Sequence, residues 1–125
     1  MHENEIARII VDCAFQIHVK LGPGLLESVY EAVLEHELRK RGLTAVTQQP
    51  MPVVWDDVKL DIGFRADMVV GGRVVVEIKS VEAVAPVHPK QLRTYLRLMD
   101  MKLGLLINFN VPLIKDGITR VVNNL

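Results

Sequence analysis

Aromatic residues are scarce and cysteine is almost absent: one Trp, two Tyr, three Phe and one Cys in 125 residues. A lone Cys13 excludes an internal disulfide and a thiolate cage, so any metal would have to be held by oxygen or imidazole ligands. No apolar run approaches the roughly 20 residues that a membrane helix needs, and the opening Met1-His2-Glu3-Asn4-Glu5 is acidic where a secretion signal is basic. A soluble, cytoplasmic protein with no membrane partner is therefore expected. Net charge is lacking too, with 15 Lys+Arg against 15 Asp+Glu; taken alone, this speaks against nucleic acid, which favours basic partners. What the chain does have is aliphatic bulk, since half of its residues are hydrophobic. That excludes disorder and fits one α/β domain over residues 1–125 with an aliphatic core.

Neutrality hides an asymmetry. Residues 1–62 carry 10 acids and 6 bases, and residues 63–125 carry 5 acids and 9 bases. The halves also differ in pattern. From Asn4, a candidate N-cap, Ile6, Ile9, Ile10, Cys13 and Ile17 recur at helical spacing, which predicts a helix to about Lys20. Leu21-Gly22-Pro23-Gly24 turns the chain, and a second helix with the stripe Leu26, Tyr30, Val33, Leu34 and Leu38 should end near Arg41, with Gly42 as its C-cap. Short β-branched runs follow at 44–47, 53–55, 58–62, 68–70 and 73–78, read as a meander of antiparallel strands. Pro86-Val87-His88-Pro89 introduces a third helix buried through Leu92, Leu96 and Met99; Leu103 to Asn108 reads as a buried strand, and 118–122 as a last one. The order is αα-ββββ-α-β-β.

Chemistry concentrates in a few places. Glu77-Ile78-Lys79 ends the run Val74-Val75-Val76, and residues two apart in a strand project to one face, so carboxylate and ammonium stand side by side. Asp57-Val58-Lys59 and Asp100-Met101-Lys102 repeat the spacing, but in a turn and at a helix end, where charges are solvated. Two charges interrupting a central apolar strand are costly unless paired or metal-bound, a condition that a structural ion pair and a functional site both meet.

Asp67 opens the strand that pairs with the one carrying Glu77, and register decides whether the two cooperate. A plain two-residue loop at Gly71-Gly72 sets Asp67 opposite Val76, with Glu77 on the other face. A three-residue loop or a bulge over Gly71 to Arg73 sets Asp67 opposite Glu77, side chains about 5 Å apart. A shared metal thus predicts an odd loop; the competing use of Asp67 is to cap the turn Gly63-Phe64-Arg65. Glu27 falls in the first turn of the second helix, where the dipole favours a carboxylate for stability alone and the Gly22-Pro23-Gly24 entry would also aim it at a fixed point. Gln91 and Tyr95, one turn apart beside the buried stripe of the third helix, either face the sheet end from which Lys79 leads or are ordinary amphipathic residues. Lys90, Arg93 and Arg97 lie within about 60° of one another on a separate face of that helix. His18, His36 and His88 share no ligand spacing, and neither a phosphate loop nor a G-x-S-x-G elbow is present.

Taken in that order and on those elements, Glu27, Asp67, Glu77-x-Lys79 and Gln91-x-x-x-Tyr95 resemble the PD-(D/E)XK nuclease superfamily. More narrowly, His18 to Tyr30 is similar to the small bacterial and archaeal GxxExxY proteins, named for Gly24, Glu27 and Tyr30 here. Phe64 through Lys79, Ser80-Val81-Glu82, His88-x-x-Gln91-Leu92-x-x-Tyr95 and Leu103 to Phe109 follow the same pattern. The resemblance implies a mixed β-sheet flanked by helices with acids at one end. It also implies metal-binding Asp67 and Glu77, a helix-borne acid Glu27 joining them, Lys79 positioning or activating water, and Gln91 with Tyr95 in support. Ala66 replaces the superfamily's usual Pro before the metal-binding Asp, which removes a fixed φ but no ligand.

Phosphodiester hydrolysis needs charge neutralised on phosphate, water made nucleophilic and a leaving oxygen stabilised, and Mg²⁺ or Mn²⁺ held by hard carboxylates serves all three. The expectation is a Mg²⁺-dependent nuclease acting on DNA rather than RNA, with Lys90, Arg93 and Arg97 receiving phosphates and a homodimer or protein partner supplying any sequence specificity. The alternative is a non-catalytic nuclease-fold module that binds nucleic acid or a protein.

Overall fold

A computed structural model of the chain describes residues 1–125. Helices α1 (Glu3–Leu21) and α2 (Glu27–Lys40) precede strands β1 (Ala45–Trp55), β2 (Val58–Val70) and β3 (Val74–Lys79). Helix α3 (Val87–Met99), strand β4 (Leu103–Asn108), a short 3-10 turn at Ile114–Gly117 and strand β5 (Ile118–Val122) complete the chain. The five strands form one mixed sheet in the order β1-β2-β3-β4-β5, antiparallel except for the β3–β4 pair that α3 connects. The α/β fold class expected from the sequence is the one observed.

Its details differ from the reading of short runs. Runs 44–47 and 53–55 are two ends of the single strand β1, and 58–62 and 68–70 two ends of β2, so the five runs make three strands before α3, one fewer than the order αα-ββββ-α-β-β. Pro50 and Pro52 lie inside β1, which an edge strand tolerates because it has no second ladder for a missing N–H to interrupt. The register shifts between Met51 and Val53, and Gly63 belongs to that bulge: a Cβ on it would overlap the Val53 side chain. The α1 N-cap is His2 rather than Asn4. Its Nδ1 accepts the Asn4 N–H at 3.0 Å while Glu5 Oε1 accepts the His2 N–H at 3.0 Å, a reciprocal capping box. Leu26 is 72% exposed, because α2 starts at Glu27 and Leu26 is its extended N-cap, off the buried stripe of Tyr30, Leu34 and Leu38.

Both faces of the central strands are covered. Ile6, Ile10, Cys13 and Ile17 of α1 and Tyr30, Leu34 and Leu38 of α2 pack with Val74, Val76, Ile78, Leu103, Leu105 and Ile107 on one face. Leu92 and Leu96 of α3 pack with Ala66, Val69, Val75 and Leu106 on the other. Helix α3 comes close because β4 offers Gly104 beneath it: a Cβ there would meet the Leu92 side chain at 2.9 Å. This contact brings α3 down onto the face from which Glu77 and Lys79, in step with Val75, project.

Candidate active site

Register brings the two acids together. Gly71 and Gly72, both at positive φ, and Arg73 form a three-residue connection closed by the Arg73 N–H to the Val70 carbonyl at 3.1 Å. The ladder then pairs Val70 with Val74 and Met68 with Val76, so that Asp67 stands across from Glu77. There the backbone ladder stops, and the Asp67 carboxylate takes its place: Oδ2 accepts the Ile78 N–H at 2.8 Å. Hydrogen bonding within the strands, and not a cap on Gly63-Phe64-Arg65, is what Asp67 does.

Glu77 is only 6% exposed, and its Oε1 has no hydrogen-bond partner. Burial, then the neighbouring Asp67 carboxyl, push its pKa up to about 9, against the pull of the Asp67 backbone N–H and then of the Lys79 charge. Tyr95 is half-buried and stacks on Phe64 with ring centroids 4.3 Å apart. Its phenol is raised by burial first and by the charges of Glu77 and Asp67 next, which sets it against the same acids. Asp67, Glu77, Lys79 and Tyr95 are thus gathered at the end of β3.

Glu27 reaches this end from α2. Its Oε2 accepts the Ser80 N–H at 3.2 Å, and Ser80 Oγ donates to the Leu25 carbonyl at 2.6 Å, tying the residue after Lys79 to the helix start. Tyr30 holds the preceding turn: its hydroxyl donates to the Gly22 carbonyl at 2.6 Å and accepts the Leu25 N–H at 3.2 Å, with its ring stacked on Phe109 at 4.3 Å. Glu27, Ser28, Glu31, Gln48, Asp67 and Ile78 line a cleft of about 280 Å³, and Glu27 and Ser28 also line an adjoining one of about 580 Å³. Gln91, by contrast, is exposed and makes no hydrogen bond; Lys90, Arg93 and Arg97 are exposed along α3 and form no ion pair with an acid.

Four residues of this end carried no signal in the sequence. Gln48 and Glu31 lie beside Asp67, Ser80 tethers Glu27, and buried Asn108 clamps Val81 through both its backbone N–H (3.1 Å) and its carbonyl (2.9 Å). Ser80 and Asn108 fall within stretches that follow the family pattern, Ser80 as a neighbour of Lys79 and Asn108 near the end of the buried strand, with nothing local to mark either as a tether.

As to a metal, the donor chemistry of the pair fits: two hard carboxylates face one another, and one has a buried oxygen without a partner, the condition a divalent cation relieves. No group of three or more His, Cys, Asp or Glu is gathered closely enough to hold an ion, and the Glu27 carboxylate accepts from Ser80 at the edge of the cleft.

The profile of the PD-(D/E)XK nuclease superfamily matches residues 4–121, and the chain belongs to that superfamily. Among solved structures, the crystal structure of SSO0001 matches with a TM-score of 0.57 and 21% identity, over 98% of this chain and 60% of that one, a likeness of fold. The chain therefore spans 60% of the length of that relative. No functionally curated protein matches it. No helix is long and apolar enough to cross a membrane.

Proposed function

We propose that this chain, as one nuclease-like domain over residues 1–125, is a cytoplasmic Mg²⁺-dependent nuclease of the GxxExxY type that hydrolyses phosphodiester bonds, in DNA rather than RNA. The observation that carries the reading is Glu77, a buried carboxylate with an unpartnered oxygen, beside Asp67 and Lys79 at the end of a central strand. Such a group is costly in a purely structural role.

Asp67 and Glu77 would hold Mg²⁺ or Mn²⁺, and Glu27, which lines the Asp67 cleft, would join them as the third ligand only on leaving Ser80. Bound there, the cation would neutralise the scissile phosphate and stabilise the leaving oxygen. Lys79, on the Glu77 face, holds the attacking water by hydrogen bond and stabilises developing hydroxide. Tyr95, kept protonated by its surroundings, donates to the phosphate, and Gln91 one turn earlier supports the same substrate. Lys90, Arg93 and Arg97 take flanking phosphates, so affinity is modest and falls with salt. A homodimer or a protein partner would supply sequence specificity, for which the domain has no room of its own.

Incubating the purified protein with Mg²⁺ or Mn²⁺ and single- or double-stranded DNA and RNA tests this. Cleavage should appear with the wild type and drop about a hundredfold or more in Asp67→Ala, Glu77→Ala and Lys79→Ala. A wild type that binds Mn²⁺ yet leaves every substrate intact would instead make the chain a non-catalytic module that binds nucleic acid or a protein.

A further inference from the structure

Gln48 departs from its surroundings. It lies in β1 between the paired residues Thr47–Met68 and Gln49–Ala66, across from Asp67, yet its backbone takes the left-handed φ of 52°, which a non-glycine residue rarely adopts. Its side chain is placed accordingly. Nε2 donates to Glu31 Oε1 at 2.9 Å and to Asp67 Oδ1 at 3.3 Å, using both amide hydrogens on two carboxylates. Asp67 Oδ2 is already taken by the Ile78 N–H at 2.8 Å. Both oxygens of Asp67 are thereby restrained, and one run of hydrogen bonds joins α2, β1, β2 and β3 through Glu31, Gln48, Asp67 and Ile78.

We propose that Gln48 is a positioning residue: its amide, anchored on Glu31 and presented by a left-handed backbone, orients the Asp67 carboxylate toward Glu77. The inference deepens the nuclease reading and rests on it for its consequence in metal binding. An Asp67 free to turn on its Cβ would meet Glu77 in several orientations, and the pair would have to be ordered each time a cation is taken up. Glu31 serves as the anchor because a second carboxylate on the amide keeps Gln48 from turning its oxygen toward Asp67.

The test compares wild type with Gln48→Gly, which accepts the left-handed backbone without strain, and with Gln48→Asn, which tolerates it and keeps an amide too short to bridge. Both variants should hold the melting temperature of the wild type, bind Mn²⁺ about tenfold more weakly by calorimetry, and lower kcat with KM unchanged. Unchanged Mn²⁺ affinity in either variant overturns the proposal; for Gln48→Asn it would mean that the backbone and not the amide matters. Hydrogen exchange of the Ile78 amide in the metal-free protein separates this failure from that of the nuclease reading. If the wild type takes no Mn²⁺, the nuclease reading fails, and Ile78 exchange alone decides: about tenfold faster in both variants supports positioning by Gln48, and wild-type protection overturns it.

Discussion

In β3 and β4, every residue from Val74 to Ile78 and from Leu103 to Asn108 is buried, whereas in the outer halves of β1 and β2 the same kinds of side chain, Val54, Trp55, Val58, Leu60 and Ile62, stand more than half exposed. Composition does not separate the two regions; the helices do. Helices α1 and α2 cover one face of the central strands and α3 the other, and none of them extends over the outer β1–β2 hairpin. Asp67 sits at the border. Strand β2 is exposed from Val58 to Gly63 and buried at Ala66 and from Met68 to Val70. At such a border an acid is dehydrated enough for its charge to act strongly, yet open to water and substrate.

Breaking the covered region should cost the most. Leu106→Ala, which leaves a cavity under α3, is expected to lower unfolding stability by about 2–5 kcal/mol in chemical denaturation. A loss below about 1 kcal/mol would show that α3 collapses onto the gap and that the covered face is less tightly built than its burial implies.

Next comes the border itself. In the metal-free protein the raised pKa of Glu77 means that the folded state keeps its proton up to about pH 9, while the unfolded chain releases it near the ordinary value of 4.5. The unfolded state therefore binds fewer protons across that window, and stability falls as pH rises through it. Glu77→Gln should flatten this slope and make the metal-free protein more stable at pH 8, by on the order of a few kcal/mol. Parallel pH–stability curves for the two proteins would contradict the assignment.

The smallest effect belongs to the outer hairpin. Trp55→Ser and Leu60→Ser remove side chains that touch little, so thermal melts should move by no more than the equivalent of about 0.5 kcal/mol. A larger loss would show that the apolar face of the hairpin is covered in solution.

Much of the candidate site was legible before any fold. Glu77-Ile78-Lys79 was readable because an apolar run ended on two charges, and Asp67 because the Gly71-Gly72 turn limited the registers that could bring an acid to Glu77. Gln48 and Glu31 were not legible: a Gln before prolines and a Glu on a helix flank have no local pattern, and they meet Asp67 only because α2 packs beside β1. Tyr30 was legible as a motif letter, but its task of holding the Gly22 to Leu25 turn depends on Phe109, 79 positions away in the chain. That 44–47 and 53–55 are one strand running through Pro50 and Pro52 was not legible, because an edge position, which excuses proline, is a property of the sheet.

Local pattern was enough for the helices, the stretches that become strand, the aliphatic core and the placing of Glu77 and Lys79 on one strand face, though not for where one strand ends and the next begins, because periodicity and glycine turns act over a few residues. Tertiary structure alone decided which apolar strands are covered, how Glu77 comes to favour its proton, and which polar residues hold Asp67. Burial and hydrogen bonding depend on what lies across space, and residues far apart in the chain, such as Gln48 and Asp67 or Glu27 and Ser80, become neighbours only when the helices close on the sheet.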